Sequence, residues 1–392
     1  MSRISIMHFK KLIRITTVPI SLDKLLTGQL HFMKQFYEVT AVSSIPDELE
    51  IIGKKEGVKT FDLEMTRQIT PVQDIKAVVK LYHFLKKEKP FIVHTHTPKA
   101  GIVGMLAAKM AGVPNRLHTV AGLPLLEATG VKRKILEQVE KATFSCATKV
   151  YPNSFVLLDY LKDHHYAASN KLKVLGNGSS NGINTAYFSP SHFSSEQNSI
   201  LKTQIGSGEN DFVFIFVGRL VSDKGINELV AAFQKLPQTN RNVKLLLVGN
   251  FEAELDPLHE NTLKVIDSNP NIILAGYQYD VRPYFAISNA LIFPSYREGF
   301  PNVVMQAGAM SLPSIVSDIN GCNEIIENGT NGLIVPVKDE INLGVAMEKL
   351  VEDENDTLKM VENSRPMIVS RYEQDVIWQA ILSEYQNLER HV

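Results

Sequence analysis

The sequence predicts an α/β protein with two doubly wound parallel sheets in tandem, and three observations predict it. The chain has 392 residues, more than one core usually organises. Short β-branched runs alternate with longer helical ones in both halves, the pattern of parallel strands covered by helices. Between the halves, the Ser-, Asn- and Gly-rich stretch from Gly178 to Asn210 reads as a linker. The expected division is a first domain over 1–185, a second over 205–370, and a closing helix over 371–392 that packs back on the first domain. Ligands of such sheets bind beyond the carboxyl ends of the strands, where strand order reverses, so two facing domains predict a cleft.

Element by element, LIRITT (12–17) is the opening strand and SLDKLLTGQLHFMKQF (21–36) the helix after it. VTAVSS, VKTFDL, FIVHTH, RLHTV, KVYPN and KLKVLGN follow as strands, with helices near 72–88, 98–111, 131–146 and 153–165 between them. The second series opens with DFVFIFVGRL, then the helix KGINELVAAFQKL, then the strands VKLLLVGN, NIILAGY, ALIFPS, PSIVSD and GLIVP. Helices near 340–352, 355–370 and 373–391 close the chain. In the last of them Val376, Ile377, Ile381 and Tyr385 follow helical spacing.

Composition narrows the function classes. Apolar residues make up 44% and charged residues 21%, an ordinary globular balance. Cys146 and Cys322 match no metal-ligand or disulfide spacing, which suits a reducing cytoplasm. No apolar run reaches the ~18 residues of a membrane span, and the N-terminus lacks the apolar core of a signal sequence. Residues 1–185 hold 26 Lys and Arg against 15 Asp and Glu, while the remainder holds 15 against 27. A basic first half meets something anionic, such as phosphates or lipid headgroups, or pairs with the acidic half. GxxxxGK[ST], HExxH, GxSxG and CxxC are all absent, and the GSGEN string at 206–210 precedes a strand instead of following one. P-loop and NAD enzymes are thereby disfavoured, and no nucleic-acid partner is expected.

The sharpest local signal is PSYREGFPNVVMQAGAM (294–310), directly after the strand ALIFP. Pro301 suits the first position of a helix, so the amides of Asn302 and Val303 are free to hold an anion. Glu298, Gly299 and Phe300 precede that start, and Gln306 lies about one and a half turns further in. In VGRLVSDKG (217–225), Gly218 and Arg219 end a strand and Lys224 opens the next helix, placing two cations at the same edge. Two cations beside a helix N-terminus form a diphosphate site.

VGRLVSDKG, followed by EGFPNVVMQAGAMSLPSIVSDINGCNEII, resembles the donor-binding domain of the family 4 glycosyltransferases of the GT-B fold. TTVPISLDKLLTGQLHFM, IVHTHTPKAGIVGMLAAKMAG, LHTVAGLPLLEATG and VYPNSF extend the resemblance through the first half. It implies two Rossmann-like domains facing a cleft and retaining transfer from a nucleotide-diphosphate sugar. The implied donor is UDP-linked, with N-acetylhexosamine as a candidate sugar, and no metal or other cofactor is required. The implied acceptor is a lipid-linked saccharide of a bacterial surface glycan such as capsule or O-antigen. Arg219 and Lys224 match the cations on the donor diphosphate, and Glu298 the first carboxylate of the E-x7-E motif, which contacts the transferred sugar. Gln306 stands where the family usually has a ribose-binding Glu. His118 matches a histidine beside the transferred sugar, and Gly28 a glycine of the loop approaching the donor phosphates; the bare sequence also reads Gly28 as a helix interruption.

His94 and His96 alternate on one strand and so share a face, where they contact acceptor or donor more readily than a metal lacking a third ligand. Lys99 opens the next helix and is positioned for an acceptor phosphate. The segment 126–144 joins a KRK cluster to an amphipathic helix, which suits either anionic lipid at the inner face of the cell membrane or plain solvent. Two alternatives stay open: an epimerase or phosphorylase of the same fold, and a non-catalytic nucleotide-binding subunit.

Overall fold

The computed structural model describes residues 9–123, 125, 128–237, 241–252, 254 and 256–390. The chain divides into two compact units, Met1–Asn181 with Ile377–Val392, and Gly182–Val376.

The first unit is a six-stranded parallel sheet in the order β3-β2-β1-β4-β5-β6. Its strands are β1 (Lys11–Ile15), β2 (Glu38–Ser43), β3 (Lys59–Asp62), β4 (Ile92–Thr95), β5 (Asn115–Val120) and β6 (Lys149–Pro152). Helices α1 (Pro19–Leu25), α2 (Gln29–Met33), α3 (Pro46–Glu56), α4 (Pro71–Glu88), α5 (Pro98–Ala111), α6 (Gly130–Cys146) and α7 (Phe155–Asp163) connect them. Side chains alternate between faces. Ile13, Ile15 and Val93 join the core beneath α4, α5 and α6, while Leu12, Ile92 and Leu117 join the opposite core.

The second unit repeats the plan with the order β12-β11-β10-β7-β8-β9. After α8 (Ser195–Gln204) come β7 (Phe212–Val217), α9 (Ile226–Gln234), β8 (Val243–Val248), α10 (Glu260–Ser268), β9 (Ile272–Gly276), α11 (Arg282–Ala286) and β10 (Ala290–Phe293). Then follow α12 (Asn302–Ala309), β11 (Ser314–Ser317), α13 (Cys322–Ile325), β12 (Gly332–Val335), α14 (Glu340–Glu352), α15 (Glu354–Tyr372) and α16 (Gln374–Arg390). In FVFIFV of β7 the first five side chains are buried, as a parallel strand covered on both faces requires. Each buried Phe there contributes about 1.5–3 kcal/mol.

From Ile377 onward α16 belongs to the first unit. Ile377, Ile381, Leu382 and Tyr385 fill the core on the Leu12 face, whereas Val376 is 38% exposed. Tyr37 donates to Glu389 (2.7 Å) and Tyr151 to Glu384 (3.1 Å), fixing the helix along its length.

Four sequence expectations are corrected. The helix expected over 21–36 is two helices, broken where Gly28 turns to φ 77°. KLKVLGN is not a strand: it meets β6 through one bridge, Val150 to Leu172, and then turns at Gly176 and Gly178. The expected linker contains α8, started by a capping box in which Ser194 and Gln197 satisfy each other's backbone amides. Pro301 caps α12 instead of opening it.

Candidate functional site

In the second unit, strand order reverses between β7 and β10, so the loops leaving those two strands flank the switch point. Gly218 leads out of β7, its amide donating to Val248 O at 3.0 Å. Arg219 follows, half exposed, with Nη1 on Glu252 Oε2 at 2.9 Å, and that bond raises the pKa of the guanidinium. A single turn of 3-10 helix, Ser222–Lys224, then brings Lys224 back over the sheet edge.

Lys224 Nζ meets Glu298 Oε1 at 2.5 Å, with both side chains at least four-fifths buried. The contact depends on Gly225, whose φ is 71° and where a Cβ would lie 2.2 Å from Pro294 O. The β7 and β10 loops touch there, and any side chain would force them apart. Glu298 is further fixed by Ser295 Oγ (3.1 Å), and Asn320 Nδ2 donates to the backbone oxygens of Glu298 (3.2 Å) and Gly299 (2.6 Å). Arg297 pairs with Asp223 at 3.1 Å, and the Tyr296 amide donates to Asp223 O.

Phe300 packs edge-on against Tyr372, 5.4 Å between ring centres. That contact and the Asn320 bonds set the entry angle of α12. Asn302 is exposed, and Val303 and Gln306 are half-buried. The first α12 amide with a protein acceptor is Val304, on Pro301 O. The edge thus presents a cation, a carboxylate and open backbone donors at a helix N-terminus, an arrangement that binds phosphate and a neighbouring hydroxyl.

In the first unit the expected residues separate. His118 pairs in register with Thr95, and its Nδ1 lies 2.7 Å from Thr95 Oγ1. It packs against Gly101, where a Cβ would sit 2.6 Å from the ring, and 5.9 Å from the Phe144 ring. Burial pushes its pKa down to about 4. His94 and His96 alternate with Thr95 and therefore occupy the opposite face of the sheet. Lys99 is bound to Asp74 of α4 at 2.5 Å, with 10% of its side chain exposed. The Gly28 amide donates to Glu56 Oε1, and the His31 amide to Glu56 Oε2, both at 2.9 Å. A protein carboxylate therefore holds the donors of the loop expected to approach phosphate.

On the His94 face lies a hydrogen-bond chain that the sequence did not announce. Arg14 is fully buried and donates to Tyr385 (2.9 Å) and to Gln29 Oε1. Because Arg14 only donates, the Tyr385 proton goes to His94 Nδ1 at 2.5 Å, and His94 Nε2 donates to Thr119 Oγ1 at 2.7 Å. Burial and the Arg14 cation hold His94 neutral, well below the usual histidine range. Gln29 continues to Asn181 (2.9 Å), which Trp378 Nε1 also reaches (2.7 Å). One signal was available: an arginine inside the apolar strand LIRITT needs buried partners.

Among the described residues no group of three or more potential metal ligands occurs, and no helix is long and apolar enough to cross a membrane. The first two residues of the 126–144 segment lie outside the described residues. Within it, residues 131–135, VKRKI, are all exposed on α6.

Residues 27–154 match the family model described as glycosyl transferase 4-like, and residues 197–367 that of the glycosyl transferases group 1. The chain is 34% identical over 381 residues to the capsular polysaccharide biosynthesis glycosyltransferase CapM of Staphylococcus aureus, covering 97% of each chain. It is 29% identical to an Escherichia coli protein named UDP-Gal:α-D-GlcNAc-diphosphoundecaprenol α-1,3-galactosyltransferase, over 92% of this chain and 93% of that one. The crystal structure of Anabaena HepE with UDP superposes with a TM-score of 0.80 at 17% identity, over 96% of this chain and all of that one.

Proposed function

The chain belongs to the family 4 glycosyltransferases of the GT-B fold, the capsule and O-antigen kind, and from that membership we propose that it moves a hexose or N-acetylhexosamine from a UDP-sugar to a lipid-linked saccharide. The observation that carries this reading is the meeting of Lys224 and Glu298 at the β7–β10 switch point, beside the open first turn of α12.

An ammonium has three N–H donors, and the Glu298 contact uses one. In this reading the others, with Arg219 and the amides of Asn302 and Val303, hold the diphosphate. They stabilise its growing charge as the sugar–phosphate bond breaks. Glu298, oriented by Lys224 and Ser295, accepts from a hydroxyl of the transferred sugar. Gly218, Gly299 and Phe300 shape the two loops, and Gln306 accepts a ribose hydroxyl without charge assistance.

Transfer then proceeds with retention, by displacement on the face from which the diphosphate leaves. The departing oxygen takes the acceptor proton, so no protein nucleophile is consumed. His118, neutral at pH 7, is the first unit's contact with the transferred sugar through Nε2, an acceptor because Nδ1 donates to the Thr95 hydroxyl, whose own proton goes to Leu117 O. In this reading protein cations and amides, with no metal cofactor, stabilise the leaving group. The acceptor proposal follows the diphosphoundecaprenol in the name of the E. coli relative. Peripheral contact with anionic lipid through the basic first unit suits such an acceptor.

A thermal-shift screen of nucleotides and nucleotide sugars tests the reading, because ligands of the folded form raise its apparent stability. UDP and one UDP-sugar are expected to stabilise the protein above ADP, GDP and CMP. Equal response to all four nucleotides would remove the donor assignment. Release of UDP from the stabilising sugar only when an undecaprenyl-diphosphate saccharide is supplied would separate a transferase from an epimerase or a binding subunit.

A further inference from the structure

The two histidines of HTH have different fates. His94 has both ring nitrogens bonded, whereas His96, stacked on it at 4.3 Å and only 5% exposed, has neither. Two further buried atoms without partners, Asn153 Oδ1 and Ser180 Oγ, belong to the same recess, lined also by Thr119, Tyr151 and Ile381. All these residues lie in the first unit, and the histidine and asparagine directly follow β4 and β6. An unpaired buried polar atom costs about 1–3 kcal/mol, so four of them around one small space call for an occupant.

The chemistry of the walls selects the occupant. Burial first, and then the Arg14 cation, keep His96 uncharged, and Arg14, whose partners among the described residues are the neutral Tyr385 and Gln29, repels a cation. Asn153 Oδ1 repels an anion, and no cationic side chain lines the recess. A neutral imidazole offers one donor and one acceptor, Asn153 an acceptor, and Ser180 either. A hydroxyl donates once and accepts twice, so one such group satisfies three of the four atoms: it gives its proton to Asn153 Oδ1 and accepts from the His96 N–H and from Ser180. The free volume of about 10 Å³ fits one such group.

We propose that His96, Asn153 and Ser180 form a receptor for one hydroxyl of the acceptor saccharide, making them specificity residues on the acceptor side. The assignment to the acceptor rests on the glycosyl-transfer reading; the affinity for a sugar hydroxyl does not. The receptor is built to reject an acceptor in which that hydroxyl is missing, because its walls would again be unpaired.

The test is a titration of the full chain, labelled with 15N at histidine, followed through the imidazole nitrogens of His96 and His94. The probes are methyl N-acetyl-α-D-glucosaminide, methyl α-D-galactopyranoside, UDP-galactose and UDP. The expected result is a shift of the His96 nitrogens with at least one methyl glycoside, with His94 unmoved. His96→Leu is expected to weaken that glycoside about tenfold or more, and His96→Gln, which keeps a donor and an acceptor, less than threefold. Ser180→Ala, a milder change at a half-buried position, should weaken it in the same direction. If no glycoside moves His96 and the variants bind as wild type does, the recess holds water only and the proposal falls. Response to UDP-galactose alone would give the recess to the donor sugar and overturn the acceptor assignment. None of these readouts needs turnover, so a responding His96 in a protein that never transfers sugar would sink the transferase reading and leave the hydroxyl receptor standing.

Discussion

Lys224 Nζ and Glu298 Oε1 lie 2.5 Å apart although the residues are 74 positions apart in sequence. Each leaves the carboxyl end of a neighbouring strand, and Gly225 lets the two loops meet. In the proposed transfer the pair combines a phosphate ligand with a sugar ligand, and the bond between them means that each residue positions the other.

Lys224→Ala is expected to lower kcat/KM by ~10²–10³, because it removes a cation from the leaving group and frees Glu298 to rotate. Glu298→Gln should lower it as well, and the double variant should lose less than the product of the two single losses. Steady-state rates of the four proteins decide this; strictly multiplicative losses would mean that the residues act independently.

Gln306→Glu restores a charged acceptor one and a half turns into α12. Tighter UDP binding, by roughly threefold to tenfold, is the expected outcome. Calorimetry with UDP measures it, and unchanged affinity would place Gln306 away from the ribose.

Glu140 on α6 is 5% exposed and bonds none of the described residues, and burial pushes its pKa up to about 7. The folded state therefore binds a proton that the unfolded state releases between the ordinary glutamate range and pH 7. Stability falls as pH rises through that window, by roughly 3 kcal/mol in full. Glu140→Gln should be more stable than wild type at pH 8 and lose that advantage near pH 4. Denaturant melts at the two pH values check the sign; an equal difference at both would exclude titration as the cause.

Val72, Ile75 and Val79 of α4 are 69%, 65% and 47% exposed, spaced to share one face, with exposed Lys76 and Lys80 beside them. α5 lies between α4 and α6, whose exposed Lys132, Arg133 and Lys134 continue the basic surface. Flotation with phosphatidylglycerol vesicles is expected, and with phosphatidylcholine vesicles not. Replacing the three α6 cations by Ser should weaken binding by about two orders of magnitude at low salt, at about 1 kcal/mol per charge. Flotation indifferent to lipid charge would rule this surface out.

Much of the fold was legible because parallel strands covered on both faces leave continuous apolar runs such as FVFIFV and ALIF. The string VGRLVSDKG and Pro301 marked the loops that carry Lys224 and Glu298, whereas the need for glycine at 225 showed only in the structure. The Arg14–Tyr385–His94 chain was not legible, because its members are up to 371 positions apart and Tyr385 looks like any apolar helix residue. Nor could alternation tell His94 from His96: both face one way, and only Tyr385 and Thr119 make the first a framework residue. α8 was missed because its polar composition resembles a linker, although Ser194 and Gln197 spell a capping signal.

The seating of α16 bears on biosynthesis. Arg14, Tyr37, His94 and Tyr151 each bond a residue of α16, namely Tyr385, Glu389 or Glu384, near the far end of the polypeptide. The first half emerges from the ribosome early, yet the Leu12 face of its sheet is covered only in part, by α1, α2 and α3, until the whole second unit has been translated. Cells making this protein must therefore shelter a half-finished layer of β-structure for most of its synthesis.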